Sequence, residues 1–455
     1  MNKKTFLILT TVVGMAVTSC KKENTVATSG HDNPLIANWE TPYQTPPFEL
    51  IKNEHFEPAI LEGIKEQQKE IDAIVNSKEP ATFENTIVAL DNSGGLLSKV
   101  ASVFYNLSST DTNDTLQKIA QDLAPKMSEH SDNINLNEAL FKRVKKVYDD
   151  YSIGGNEKTP LTTEQKMLLD NTYKRFVRSG ANLSSTDKDK LRKLNSELSL
   201  LNLKYGDNLL AETNAYELVI DKKEDLAGLP AEIIEAAAVE AKAKGKEGKW
   251  VFTLSNSSVM PFLRYSSNRD LRQTLWNAYQ KRGNNDNQYD NKEVVKQIAN
   301  LRMEKAQLLG YKNHAAYVLE ESMAKNPENV NALLNKLWLP ALEKAKVESS
   351  DIAAMMRKEG IQENVTPADW RYYSEKIRKE RFDLDEQEMK PYFSIDQVRD
   401  GVFKVTENLF GLKFKEVTNL PKYHNEVTTW EVTEQDGTLV GILYKDMFPR
   451  VSKRG

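Results

Sequence analysis

The sequence predicts a mainly α-helical protein with a few short strands and a C-terminal β-hairpin. Three observations carry that expectation. Apolar residues recur at three- and four-residue spacing through most of the chain, the period of one helix face. Only two short internal runs, Tyr216 to Ile220 and Trp250 to Leu254, have strand-like composition. Near the end, Asp436-Gly437 lies between Val427–Val432 and Leu439–Phe448, the signature of a tight hairpin turn.

The first element is a targeting segment. Met1-Asn2-Lys3-Lys4 precedes an apolar run from Phe6 to Val17, followed by Thr18-Ser19-Cys20. A basic start, a short apolar stretch and small residues before a cut read as an export signal over residues 1–19. The run is too short for a membrane-spanning helix. A small residue directly before cysteine resembles a bacterial lipobox, so Cys20 is expected to carry lipid and to anchor the chain in the cell envelope, on the periplasmic or outer-membrane side. Residues 20–47, polar and punctuated by Pro34, Pro42, Pro46 and Pro47, read as a tether.

Residues 48–255 read as a helical N-terminal region. His55–Ser77 and Phe83–Leu107 have helical spacing, with Thr82 placed to cap the second. Gly94-Gly95 suggests a local break there. From Thr186 to Glu212, Leu191, Leu194, Leu198, Leu201, Tyr205 and Leu209 form one expected buried stripe, opened by Ser184 and Asp187. Pro230–Lys244 is helical between the two strand-like runs. In residues 256–455 helical spacing resumes over 269–282, 293–309, 330–358 and 368–381, with Gly310 as a C-terminal cap and Pro340 predicting a kink near Leu337. The hairpin has no obvious third strand, and a two-stranded hairpin alone is marginal. That suggests an interrupted protein.

Composition excludes several functions. Acids exceed bases by 4, so a dedicated nucleic-acid binder is disfavoured. One cysteine allows neither a disulfide framework nor a cysteine zinc site. His31, His55, His130, His314 and His424 are scattered, and none begins H-E-x-x-H; they read as surface or cap residues. There is no phosphate-binding glycine loop and no G-x-S-x-G elbow. Glu320-Glu321 and the acids of 383–388 read as solvated faces, and Lys376–Arg381 as their intrachain partners. Trp370, Tyr372 and Tyr373 read as core. The residues thus display no complete catalytic constellation.

Several segments together resemble a known family. They are Thr45-Pro46-Pro47-Phe48 with Phe56-Glu57-Pro58-Ala59, Pro80 to Ile87, Phe176 to Leu183, Leu301 to Tyr311, and Phe382-Asp383-Leu384-Asp385-Glu386 leading to Lys390-Pro391-Tyr392-Phe393. The chain from about residue 34 onward resembles bacterial peptidyl-dipeptidases of the thimet oligopeptidase family of zinc peptidases. The resemblance implies a two-lobed helical fold around a peptide channel and removal of C-terminal dipeptides from oligopeptides. It implies zinc held by an H-E-x-x-H helix and a downstream glutamate, and makes residues 256–455 the beginning of the catalytic domain. Tyr444 to Gly455 resembles a strand and turn that precede the zinc helix in relatives. No catalytic, cofactor-binding or metal residue can therefore be assigned, and the chain alone is expected to be inactive. The parent would be a zinc peptidyl-dipeptidase whose catalytic half lies on a missing segment, through a sequence fragment, a frameshift or a split gene. The alternative is a non-catalytic helical peptide-binding or scaffold lipoprotein.

Overall fold

A computed structural model describes residues 33–152, 160–383 and 385–454. The export signal, Cys20, His31 and the first part of the tether, through residue 32, lie outside the described residues. The fold is mainly α-helical, with two small antiparallel sheets among the described residues.

The N-terminal layer begins with helices Phe56–Asn76, Gly95–Thr110 and Asp114–Asn135. Leu35, Phe56, Ile60, Val100, Phe104 and Leu116 form their core. A Cβ at Gly63 would sit 2.8 Å from the Leu97 Cα, so glycine lets the first two helices touch backbone to backbone. The Thr82 hydroxyl accepts from the Asn85 backbone N–H at 3.1 Å, as its position suggested. The helical stretch expected over 83–107 is interrupted at the break that Gly94-Gly95 suggested. A π-type turn, Phe83–Val88, and a short Ala89–Asp91 segment end at Gly94, whose φ of 78° is one that L side chains rarely adopt. Helices Glu138–Ser152 and Thr163–Arg178 close a second core around Ile87, Val144 and Phe176.

Helix Ser185–Ala215 is shared between two neighbours, Asp114–Asn135 and Lys292–Leu308. That sharing divides the expected stripe: Leu191 and Leu198 are buried, whereas Tyr205 is 40% exposed. Strands β1 (Leu218–Ile220) and β2 (Trp250–Phe252) pair antiparallel, with Val219 opposite Val251. Helices Ala231–Ala243, Asn256–Tyr265 and Arg269–Gln280 bury Phe252, Phe262 and Leu275 around them.

Helix Lys292–Leu308 is followed by Gly310 at φ 88°, the expected left-handed stop. Helix Pro327–Lys358 is continuous, with Pro340 inside it. Its C-terminal half packs on helix Pro367–Phe382, with Ile352 and Met356 against Tyr372 and Tyr373.

The end of the chain corrects the expectation of an unpartnered hairpin. Strands β3 (Lys413–Val417), β4 (Thr428–Thr433) and β5 (Leu439–Lys445) form a three-stranded sheet in that order. Lys-Phe-Lys-Glu-Val is too short and too charged to stand out as a strand. Trp430 on the central strand faces Glu416 on one side and Leu443 on the other. Helix Ile395–Phe410 covers this sheet through Phe403, stacked on Phe414 at 4.1 Å and edge-on to Trp430 at 4.9 Å. Beyond β5 the chain returns to the N-terminal layer. The Ser452 carbonyl accepts from Thr112 N–H, and Arg454 N–H donates to the Ser109 carbonyl, both at 2.8 Å.

Candidate substrate cavity

The returning segment closes a cavity of about 680 Å³. Its walls come from four segments, one of them Leu254 to Ser257 at the start of helix Asn256–Tyr265. Leu209, Leu210 and Thr213 lie on helix Ser185–Ala215, Tyr279 lies at the end of helix Arg269–Gln280 with Arg282 just beyond it, and Met447 to Arg454 supply the wall from the end of the chain. Apolar walls with a few converging polar groups suit a short organic chain.

Four cations border the cavity, and three are engaged by carboxylates. Arg450 grips Asp446 in a fork, Nη1 to Oδ1 at 2.9 Å and Nη2 to Oδ2 at 2.7 Å. Lys453 pairs with the same carboxylate at 3.1 Å, and the Tyr423 hydroxyl donates to it at 2.9 Å. The Arg450 hydrogen bonds hold the Asp446 carboxyl far below the usual range, against a burial effect of opposite sign. Burial and that same carboxylate push the Tyr423 phenol up to about 12. Arg454 pairs with Asp207 at 2.5 Å. Arg282 differs. Its Nε donates to the Tyr279 carbonyl at 3.0 Å and its guanidinium lies 4.0 Å from the Tyr279 ring centroid, while Nη1 reaches the Thr213 hydroxyl at 3.5 Å. None of these partners carries a negative charge, so Arg282 retains its capacity to receive an anion.

A second pocket, about 430 Å³, lies between helices Asp114–Asn135, Ser185–Ala215 and Lys292–Leu308. Asp132 Oδ1 accepts from Asn195 Nδ2 at 2.8 Å, while its Oδ2 meets no donor. Burial raises the Asp132 carboxyl, opposed by the Asn195 bond. Lys305 donates to Asn195 Oδ1 at 2.6 Å, and burial lowers its ammonium. Burial, then Arg302 and Lys305, depress the imidazole of His314. The pocket thus concentrates charged groups, Asp132, Arg302 and Lys305.

The other groups singled out in the sequence take these places. Glu320 receives Arg178 and, at 2.7 Å, the Tyr311 hydroxyl; it is an anchor between helices. Lys376 pairs with Glu359, Lys379 with Asp385 and Arg381 with Asp351; the pairing is intrachain, as expected, but of these three only Lys379 finds its acid within residues 383–388. Tyr372 and Tyr373 are core. His55 accepts from the Lys52 N–H and His424 from the Glu426 N–H, both near turns. His130 departs from the expectation of a surface residue. It is 5% exposed and bonds through Nε2 to Gln67 Oε1 at 2.8 Å. Among the described residues no group of three or more His, Cys, Asp or Glu side chains is arranged to hold a metal ion.

Sequence reasoning did not single out Arg282 or Asp369. Asp369 is fully buried and receives Arg269 through Nε at 3.0 Å and Nη2 at 2.9 Å, and Arg272 at 3.1 Å. No sequence spacing could join residues 100 positions apart. Asp446 and Arg450, four apart and opposite in charge, did carry a local signal.

Residues 262–455 match peptidase family M3. The chain is 36% identical over 425 residues to the dipeptidyl carboxypeptidase of Salmonella typhimurium and 35% identical over 424 residues to that of Escherichia coli. It is 30% identical over 427 residues to oligopeptidase A of Salmonella typhimurium. Each match covers 93% of this chain, but only 62%, 62% and 61% of the respective relative. The chain therefore spans about three-fifths of the length of these relatives. Residues 262–455 thus carry the sequence pattern of peptidase family M3, within a chain similar along 93% of its length to dipeptidyl carboxypeptidases and oligopeptidases A.

Proposed function

We propose that the chain is the substrate-positioning part of a zinc peptidyl-dipeptidase acting on oligopeptides. The observation that carries the reading is the 680 Å³ cavity with Arg282 at its border. Its apolar wall fits peptide side chains, and the guanidinium fits a free C-terminal carboxylate, the group that an enzyme releasing C-terminal dipeptides must recognise. The zinc that the family implies does not fit the described residues, which bring no three ligands together. No metal-dependent step is assigned to them, and the isolated chain is proposed to bind peptides without cleaving them. The Lys3-Lys4, Phe6–Val17 and Ser19-Cys20 pattern supports export and lipid attachment at Cys20, placing the protein in the cell envelope. Partners would then be oligopeptides, the membrane reached through lipid, and a polypeptide carrying the catalytic half.

The test is fluorescence anisotropy of a labelled oligopeptide with residues 20–455. A free C-terminus should bind at least about fivefold tighter than its amide, and Arg282→Gln should abolish the difference. Equal binding of acid and amide, or none at millimolar protein, would overturn the reading. A peptide-binding or scaffold lipoprotein without any catalytic partner is the second reading, favoured by the lack of clustered metal ligands among the described residues.

A further inference from the structure

Helix Lys292–Leu308 and the short helix that follows it, His314–Leu319, bring three basic side chains to one cavity. The cavity is the pocket of about 430 Å³, and Arg302, Lys305 and His314 all line it. Arg302 and Lys305 are three residues apart on one helix, so they share a face. His314 opens the next helix, beyond the turn at Gly310. Burial, then the Arg302 and Lys305 charges, depress its imidazole, so the three groups act on the same space. Tyr317 also lines the cavity, its ring 6.5 Å from the imidazole.

These cations differ from their neighbours in having no carboxylate partner. Beyond Tyr317, Arg178 pairs with Glu320, and Lys174 lies 4.0 Å from Glu321. Arg302 makes no ion pair or hydrogen bond among the described residues. Lys305 donates to the neutral Asn195 Oδ1 at 2.6 Å, and Asp132 acts on it at longer range. The Asn195 amide holds those two charges apart: its Nδ2 donates to Asp132 Oδ1 at 2.8 Å, while its oxygen takes the Lys305 ammonium. Keeping three basic groups together without a counter-charge costs free energy, because each disfavours the charged form of the others. An anion among them removes that cost. Serine and asparagine side chains supply much of the remaining wall, further donors for an oxyanion.

We propose that this cavity binds a phosphate group, either free or carried by a small organic molecule as its monoester. Charge and donor number select phosphate over carboxylate. A phosphoryl group carries about 1.5–2 negative charges near neutral pH and three strong acceptor oxygens, enough for one oxygen to each of Arg302, Lys305 and His314. A carboxylate has one charge and two oxygens. The cavity volume lies at the lower end of small-molecule sites, which leaves room for an organic group beside the phosphate. The site shares no lining residue with the 680 Å³ cavity, and the inference does not rest on the peptide reading. Helix Ser185–Ala215 runs along both, through Asn195 in one and Thr213 in the other.

The test is isothermal titration calorimetry of the full chain in a chloride buffer of fixed ionic strength, with inorganic phosphate, glycerol 3-phosphate and acetate as probes. Both phosphates should bind at least about tenfold tighter than acetate. Tighter binding of the ester assigns the ligand to a phosphomonoester, and equal binding assigns it to free phosphate. Arg302 is exposed, so Arg302→Gln should leave the melting temperature without phosphate unchanged and weaken phosphate binding at least about fivefold. Asp132→Asn removes the opposing charge and should tighten it. If that buried variant fails to fold, Arg302→Gln decides alone. Hydrogen exchange should show phosphate slowing amides within 301–317. No binding of either phosphate at about 10 mM, acetate binding as tightly, unchanged affinity in Arg302→Gln, or protection confined to another part of the chain would each overturn the proposal.

Discussion

Replacing Asp369 by Asn removes the carboxylate that pairs with Arg272 among the described residues; Arg272 is 1% exposed beside Ser266, Tyr372 and Tyr373. The carboxylate also accepts the Thr366 N–H at 3.0 Å and its hydroxyl at 2.8 Å. Burial alone would raise the Asp369 carboxyl, but the Arg269 hydrogen bonds and those of Thr366 prevail and hold it at about 2, below a usual 3.8. A drop of that size corresponds to roughly 2 kcal/mol. Leaving Arg272 buried without its partner adds to the cost, so Asp369→Asn is expected to destabilise by about 3–5 kcal/mol. The sign in pH follows from a depressed carboxylate. Its contribution is fully present above the unfolded pKa near 4 and is lost as pH falls through about 2. Urea denaturation at pH 7 and at pH 2–4 measures both, and hydrogen exchange over 269–280 and 367–382 locates the loss. A cost under about 1 kcal/mol at pH 7, or an undiminished difference between wild type and variant at pH 2, would refute the argument.

The remaining expectations concern other sites. Arg454→Ala removes the bonds to Asp207 and to the Ser108 carbonyl, and should accelerate proteolysis of the C-terminal segment while leaving helix 185–215 protected. Burial depresses the His130 imidazole, so it folds neutral; stability from this group should fall as pH drops below about 6.5, and His130→Gln should flatten that slope in urea titrations. Fatty-acid analogue labelling should mark the wild type in cells and spare Cys20→Ala; equal labelling would remove the lipid anchor. In the sheet, amides of the central β4 should exchange more slowly than those of β5, where Leu439 and Val440 are 47% and 53% exposed.

Elements with strong local chemistry were legible in the sequence. The caps at Thr82 and Ser184, the left-handed stop at Gly310, the β1–β2 runs and the core role of Tyr372 and Tyr373 all depend on neighbours within a few residues. What required the third dimension was shared or distant packing. Tyr205 continues a regular stripe yet is exposed, because its helix divides its surface between two partners. His130 is buried because Gln67 of another helix reaches it. Strand β3 carries too little pattern in five residues to be read without β4 beside it. The cavity eluded sequence reading altogether, since Thr213, Arg282 and Arg450 come together from three elements.

The segment that runs back onto the N-terminal helices has a consequence for synthesis. Thr110 O, the Ser452 hydroxyl's partner Asp111 and the Thr112 N–H are satisfied by residues about 340 positions later in the chain. At a ribosomal rate of about 5–20 residues per second, that interval lasts roughly 17–70 s. During it, the end of helix Gly95–Thr110 emerges with its last carbonyls facing water, while the local contacts of Phe56, Phe104 and Leu116 can already form. The clasp is therefore a late event of high loop-closure cost. Between its own synthesis and that of residues 450–454 the N-terminal layer must hold its shape without the clasp, and closing it joins helix Gly95–Thr110 to a segment about 340 positions later.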